Sequence, residues 1–239
     1  MTTLGVVAAS GGAGCSTLAG ALGIRAGQSG AAAVVVDGDP LGGGIQVTMA
    51  AEHLPGHRWS DLTEVDGTVA GQRLLEHLPQ VDGCHVLSGG RAARALDRVV
   101  PEAVEDAAFD AVVDALERAC GLVVLDWGHR WRAGFGASVL VVPASARGLA
   151  DAEAWIGRYD SADLAGVVTR SRRGDFRVAS ALAQQLGMPL LGELTDDRRV
   201  VAAARAGEPP GLSKRGPVAA LADALARSAL AVTGDGLAS

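Results

Sequence analysis

Residues 10–17 read Ser10-Gly11-Gly12-Ala13-Gly14-Cys15-Ser16-Thr17, directly after the apolar run Leu4 to Ala8 and directly before an Ala/Leu-rich stretch. Strand, glycine-rich turn and helix N-terminus in that order make a cradle for phosphate. Glycines let the backbone approach closely, successive N–H groups point inward, and the helix dipole favours an anion. The hydroxyl of Ser16 stands where such a loop places a magnesium ligand. The bland alternative is a βα turn that merely packs tightly. The pattern also asks for a lysine immediately before the Ser-Thr pair, and that position holds Cys15. A charge-assisted contact is worth about 1.5–3 kcal/mol, so its absence weakens nucleotide binding roughly ten- to a hundredfold. Phosphoryl transfer suffers more, because one transition-state cation can be worth about 10³–10⁵ in rate. Cys15 itself reads as a small filler; a thiol made reactive by the helix N-terminus is the alternative.

The missing lysine is part of a wider bias with one instructive exception. Of 21 basic residues only Lys214 is lysine, and glycine alone accounts for 33 positions, as GC-rich coding would produce. Such coding replaces Lys by Arg, yet position 15 holds neither. The chain has 239 residues, 49% of them hydrophobic, which suits one domain with its own core. No apolar run approaches the ~18 residues of a membrane span. Met1 leads into Leu4-Gly5-Val6-Val7 without a basic region, so no signal peptide is expected. Cys15, Cys84 and Cys120 are odd in number and scattered, and His53, His57, His77, His85 and His129 form no ligand cluster. A disulfide framework and a zinc site are therefore disfavoured. A formal charge of −6 argues against broad binding to DNA or anionic lipid, and a cytoplasmic protein is expected.

Short β-branched runs alternate with helical stretches, the pattern of a parallel sheet covered on both faces. The strands expected are Leu4 to Ala8, Ala33 to Asp37, His85 to Leu87, Leu122 to Asp126, Ser138 to Val142, Leu164 to Thr169 and Leu190 to Gly192. The helices expected are Ser16 to Gln28, Thr68 to Leu78, Pro101 to Ala119, Leu149 to Tyr159, Asp175 to Leu186, Asp197 to Arg205 and Pro217 to Val232. Segment 40–66 is Gly/Pro-rich and has no clear period. The architecture predicted is α/β: a single doubly wound, mostly parallel sheet with helices on both faces. It occupies residues 1–232 as one domain, with 233–239 a disordered tail.

Further motifs resemble the ParA/MinD group of P-loop ATPases. Val34-Val35-Val36-Asp37-Gly38-Asp39-Pro40 resembles their Asp-x-Asp-Pro motif, and Val123-Val124-Leu125-Asp126 their Walker B strand. Val139 to Pro143 with Leu149-Ala150-Asp151-Ala152 is similar to the next strand and helix. Leu190 to Leu194, Asp197-Arg198 and Arg205-Ala206-Gly207-Glu208-Pro209-Pro210 are similar to the last strand, helix and proline turn. The likeness runs in order over about residues 3–227. That group also places a signature lysine at the start of the loop, where this chain has Ser10. Gly-Gly-x-Gly-small-Ser-Thr is similar to the CpaE/TadZ branch, which lacks the usual lysine. Leu41 to Gly44, Arg58-Trp59-Ser60-Asp61-Leu62, Leu78-Pro79 and Val86-Leu87-Ser88 resemble its actinobacterial subgroup, linked to septum-site determination and to Flp pilus and secretion genes.

What the resemblance implies can be placed residue by residue. Gly11, Gly12, Ala13, Gly14, Cys15, Ser16 and Thr17 would wrap the phosphates. Ser16 and Asp39 would stand near magnesium, with Asp39 and Asp126 the catalytic carboxylates of an active enzyme; otherwise both are polar strand ends. Thr169 and Arg170 would lie at the base, where relatives carry an asparagine. A proline expected just after Asp126 is replaced by Trp127-Gly128-His129-Arg130-Trp131-Arg132. Arg130 or Arg132 could restore the lost charge, or simply lie on the surface.

The implied cofactor is ATP or ADP with magnesium, held weakly, or none. The implied partners are a second copy of the chain and components of a pilus or secretion ATPase or of the division machinery, with recruitment to a pole or septum. DNA binding through Arg170, Arg172, Arg173 and Arg177 is disfavoured by the acidic total. The last helix carries one basic residue, Arg227, balanced by Asp223, so no membrane-inserting helix is expected. The reading is a positioning scaffold with little turnover; the alternative is a weak ATPase with a nucleotide-driven monomer–dimer cycle. A metabolic relative such as dethiobiotin synthetase fits less well, because it too needs the lysine.

Overall fold

A computed structural model describes residues 2–38, 44–62, 69–89, 106–128, 131–159 and 162–234. Among the described residues eight strands form one sheet: β1 (Thr2–Ala8), β2 (Ala33–Asp37), β3 (Gln80–Val81), β4 (Cys84–Leu87), β5 (Leu122–Gly128), β6 (Ala137–Pro143), β7 (Leu164–Ser171) and β8 (Leu190–Thr195). Their spatial order is β3-β4-β2-β5-β1-β6-β7-β8. Every pairing is parallel except β3 with β4. The helices are α1 (Cys15–Gln28), α2 (Ile45–Thr48), α3 (Gly71–His77), α4 (Asp106–Ala119), α5 (Ala146–Arg158), α6 (Phe176–Gln185), α7 (Arg198–Ala206) and α8 (Pro217–Gly234). The α/β architecture with helices on both faces is as expected.

The period-2 alternation of each strand feeds two cores. Val35, Val124, Val139, Val141 and Val168 face a layer made by α1 and α8. Small residues let that layer sit close: a Cβ on Gly23 would lie 2.2 Å from Val35, and one on Gly27 would lie 2.7 Å from the backbone of Gly83. Val34, Val36, Val123, Leu125, Leu140 and Val142 face the other core, shared with α3, α4, α5 and α6. Trp59, Phe109, Trp127 and Phe135 pack there as one group, and Trp131, Trp155 and Tyr159 as another. Of the eight aromatic residues, only Phe176 stands outside these groups, 70% exposed at the start of α6.

Several features differ from expectation. Helix α3 starts at Gly71 rather than Thr68, because Ala70 is extended. The two-residue β3 is too short to leave an alternating signal. Helix α5 begins at Ala146, because Ser145 caps it by accepting from Gly148 N at 3.0 Å, three residues before the apolar spacing starts. Helix α8 runs to Gly234, two residues into the segment expected to be a tail, and 235–239 lie outside the described residues. Within the described part of segment 40–66, residues 44–62, order comes from one side chain rather than from periodicity. Arg58 donates to the carbonyls of Ala51, Leu54, Gly56 and His57, and its own N–H is accepted by Asp61. The short α2 and the 3₁₀ turn Trp59–Asp61 flank that knot.

His85 on β4 should give the fold a pH dependence. It is half-buried, its Nδ1 has no partner among the described residues, and burial pushes its pKa below the usual value. The unfolded chain therefore takes up a proton at higher pH than the folded chain does. Stability is full above about pH 6.5 and falls as pH drops below it. Urea melts at pH 7.5 and at about pH 5.5 should show that loss, and it should shrink in His85→Gln; an unchanged difference in that variant removes His85 as its source.

Candidate functional site

The turn between β1 and α1 is built on two residues in the left-handed region, Gly12 (φ 75°) and Gly14 (φ 91°), a conformation costly for any residue with a Cβ. Gly14 is constrained twice, since a Cβ there would also lie 3.0 Å from Leu194 Cδ2. The first hydrogen bond into α1 is Leu18 N to Gly14 O, 2.9 Å. Among the described residues no acceptor meets the backbone N–H groups of residues 10–17, and α1 has neither a side-chain cap nor an acidic residue in its first turn. Gly11 and Gly12 are exposed, Ser16 and Thr17 half-buried. The opening is rich in donors and carries the positive end of a 14-residue helix. That fits phosphate.

Below the opening lies the residue that replaces lysine. Cys15 is buried, and its thiol points down to the sheet, donating to Val6 O at 3.0 Å and to Asp126 Oδ1 at 3.1 Å. Burial, and then the neighbouring Asp126 carboxylate, push its pKa well above that of an ordinary thiol. The helix N-terminus does not overcome those two effects, so Cys15 is not the reactive thiol considered from sequence. Asp126 on β5 aligns with Asp37 on β2 and with Val6 on β1. Both carboxylates are buried at the carboxyl edge of the sheet, where open α/β sheets bind ligands. Asp37 also accepts from Ile45 N at 3.1 Å, tying the start of α2 to the end of β2. Sequence reasoning gave Asp37 no role, although it heads the Asp-x-Asp motif. Asp39 lies outside the described residues.

Solved structures share this fold. The septum-site-determining protein MinD of Pyrococcus horikoshii, complexed with Mg-ADP, superposes with a TM-score of 0.73 at 17% identity, covering 98% of this chain and 97% of that one. A ParA-family ATPase of Chlorobium tepidum gives 0.71 at 12% identity, covering 95% and 98%. The fold is that of the MinD/ParA ATPases. MinD in the MinC:MinD complex of Aquifex aeolicus also gives 0.71, at 16% identity over 98% and 96%. No protein-family model matches the chain. Two curated proteins, from two strains of Mycobacterium tuberculosis and both described as uncharacterized, are each 34% identical over 204 residues. The match takes in 82% of this chain and 55% of theirs, so the chain spans about half the length of the curated relatives it matches.

On this MinD/ParA sheet β7 brings a cation beside the loop. Arg170 lies over Gly14, its Nε 3.8 Å and its Cδ 3.9 Å from where a Cβ on Gly14 would stand. Its terminal nitrogens donate to Ser171 O, to Leu194 O at 3.4 Å and to the Asp196 carboxylate, whereas Nε has no acceptor among the described residues. Thr169 is fully buried on the opposite side of the strand, and its hydroxyl has no partner among the described residues. The period of 2 along β7 separates these neighbours: Arg170 reaches the loop and Thr169 enters the core. Arg132 is not the compensating cation. It pairs with Asp106 and Asp110 of α4 and lies over the rings of Phe109 and Phe135, 5.5 and 5.1 Å from their centres. Arg130 lies outside the described residues. Among the described residues, no three His, Cys, Asp or Glu side chains cluster to hold a metal, and no helix is long and apolar enough to cross a membrane.

Proposed function

We propose that this chain is a MinD/ParA-type spatial regulator or scaffold of the CpaE/TadZ kind, serving pilus or secretion assembly or septum-site placement. Its phosphate loop binds Mg-ATP weakly or not at all and turns it over little. The observation that carries this reading is the buried Cys15 thiol, which spends its donor on Val6 O and Asp126 and leaves α1 without a cation for phosphate. Residues 1–232 act as one domain. The backbone N–H groups of Gly11 to Thr17 would hold phosphate, Ser16 and Asp39 would stand at magnesium, and Arg170 would lie beside the loop, while Thr169, buried behind it, would not touch the base. Magnesium would neutralise phosphate charge; Asp126 would orient its water. The chain would pair with a second copy and with components of the assembly or division machinery, at a pole or septum.

Arg170 is expected to contribute to whatever affinity remains. A partly exposed charge already shared with Asp196 is worth less than a dry contact, so Arg170→Ala should weaken Mg-ATP binding about three- to tenfold. Calorimetric titration of both proteins checks this; equal affinities would remove Arg170 from the site.

The alternative of a genuine ATPase draws on the aligned Asp37 and Asp126 beneath an open loop. Steady-state hydrolysis by the purified chain separates the two. The scaffold reading expects turnover below about 1 per minute, insensitive to Asp39→Ala. Turnover above that rate, abolished in Asp39→Ala, would overturn it, the more so if Mg-ATP also drives dimerisation in sedimentation runs.

A further inference from the structure

Helix α7 has no buried residue: all nine positions from Arg198 to Ala206 are at least partly open. It is held by its ends. Asp197 caps its start, accepting from Arg199 N at 2.9 Å, and Gly216 packs on that carboxylate so tightly that a Cβ would lie 2.2 Å away. At its end Gly207 is left-handed, and Glu208 N returns to Ala203 O at 2.8 Å. Between those anchors Val200 packs against the core, while Val201 is 50% exposed. A helix gains most of its stability from an amphipathic face packed on something, and here only part of that face is covered.

A cleft runs along each side of the helix. One, of about 400 Å³, is lined by Val200, Ala203, Pro209 and Leu212, with Arg199 and Arg215 also on its wall. The other, of about 720 Å³, is lined by Val201 and Ala202 with Arg172, Arg173, Arg198 and Arg205. The surrounding charge is concentrated. Residues 197–216 carry Arg198, Arg199, Arg205, Lys214 and Arg215 against Asp197 and Glu208, a net +3 in a chain of −6, which leaves −9 elsewhere. Asp197 is already spent on the cap. The chain's single lysine falls in this segment.

We infer that the α7 ridge docks an acidic amphipathic segment of a partner protein. Its apolar side chains enter the cleft beside Val200 and Leu212, and its carboxylates pair with Arg198, Arg199, Arg205 and Arg215. A protein segment fits better than nucleic acid for two reasons. Phosphate backbones fill no apolar cleft, and a duplex long enough to gain affinity would also meet the field of the −9 remainder. A short helix meets only the basic ridge and uses both of its features. This inference does not rest on nucleotide binding by the phosphate loop.

The test uses the full chain and a fluorescein-labelled helical peptide of about 16 residues with Glu on one face and Leu on the other. Its Gln-for-Glu analogue and a duplex of about 20 base pairs are titrated alongside by anisotropy, without nucleotide. The Glu/Leu peptide should bind at least about tenfold more tightly than the Gln/Leu one. Arg199→Glu with Arg205→Glu should reverse that preference, and Leu212→Ala should weaken binding about threefold. Arg147→Glu, on the 87%-exposed arginine of α5, should change nothing. Should the double reversal fail to fold, Arg205→Gln alone should still halve the discrimination. Equal binding of the two peptides overturns the inference. So does DNA binding that the double reversal abolishes while neither peptide binds.

Discussion

Cys15→Lys should raise the affinity of this chain for Mg-ATP about ten- to a hundredfold, the worth of one charge-assisted phosphate contact. The position opens α1 directly after left-handed Gly14. The present thiol fits a slot bounded by Val6 O and Asp126 Oδ1. A lysine side chain is too long for that slot, so its ammonium must emerge where the unpaired N–H groups of the loop converge. Forcing a longer stem into a 6%-exposed site costs about 1–3 kcal/mol. Stability therefore falls while affinity rises, and the opposite signs separate a restored contact from a general tightening of the fold. Cys15→Ser keeps a donor for Asp126 and adds no charge, so its affinity should match the parent chain within about twofold. Titration with a fluorescent ATP analogue, competed with unlabelled ATP, reads all three proteins. A folded Cys15→Lys variant that binds no better than the parent would show that the vacancy at position 15 does not limit binding.

Trp127→Ala should lower the unfolding free energy by about 3–5 kcal/mol, the range for emptying a large aromatic site in a packed core. Trp127 is 1% exposed. Its ring occupies a slot that two glycines create: a Cβ on Gly5 would lie 2.8 Å from its Nε1, and one on Gly38 2.5 Å from its Cε3. Phe109 and Phe135 close the slot, with ring centres 5.7 and 5.6 Å away. The indole N–H has no partner among the described residues. Trp127→Phe removes that orphaned donor together with some volume, so it should cost only about 1–2 kcal/mol. Urea unfolding of the two variants measures the difference. Similar losses would mean that the N–H finds a partner in solution. Because Trp127 follows Asp126 on β5, the alanine variant also tests how far the site depends on the core beneath it.

Most strands were legible because burial on both faces demands short, nearly continuous apolar runs, and Ala33–Asp37 and the Leu122 to Asp126 part of β5 satisfy that demand locally. The turn before α1 was legible for a similar reason: left-handed turns need glycine, and Gly12 and Gly14 supply it locally. Legibility ended where a distant residue decides the outcome. Nothing near Arg132 announces Asp106, Asp110 and the rings of Phe109 and Phe135. Nothing near Arg58 announces that its guanidinium will organise the carbonyls of the aperiodic stretch before it. The spacing of Thr169 and Arg170 puts them on opposite faces, but only the sheet order β6-β7-β8 buries one and brings the other to Gly14.

The amino-acid sequence by itself determined an α/β chain, a glycine-built turn between the first strand and helix, and the absence of a lysine there. These are local properties, set by period, backbone sterics and the absence of a charge. Only the tertiary structure decided what fills the vacancy, because β1, α1 and β5 must meet before the Cys15 thiol can find Val6 O and Asp126. The same assembly turned Arg170 toward the loop, carried Arg132 away from it, and left α7 standing between two open clefts. Each outcome depends on which side chains share a small volume, and that is settled when the sheet assembles.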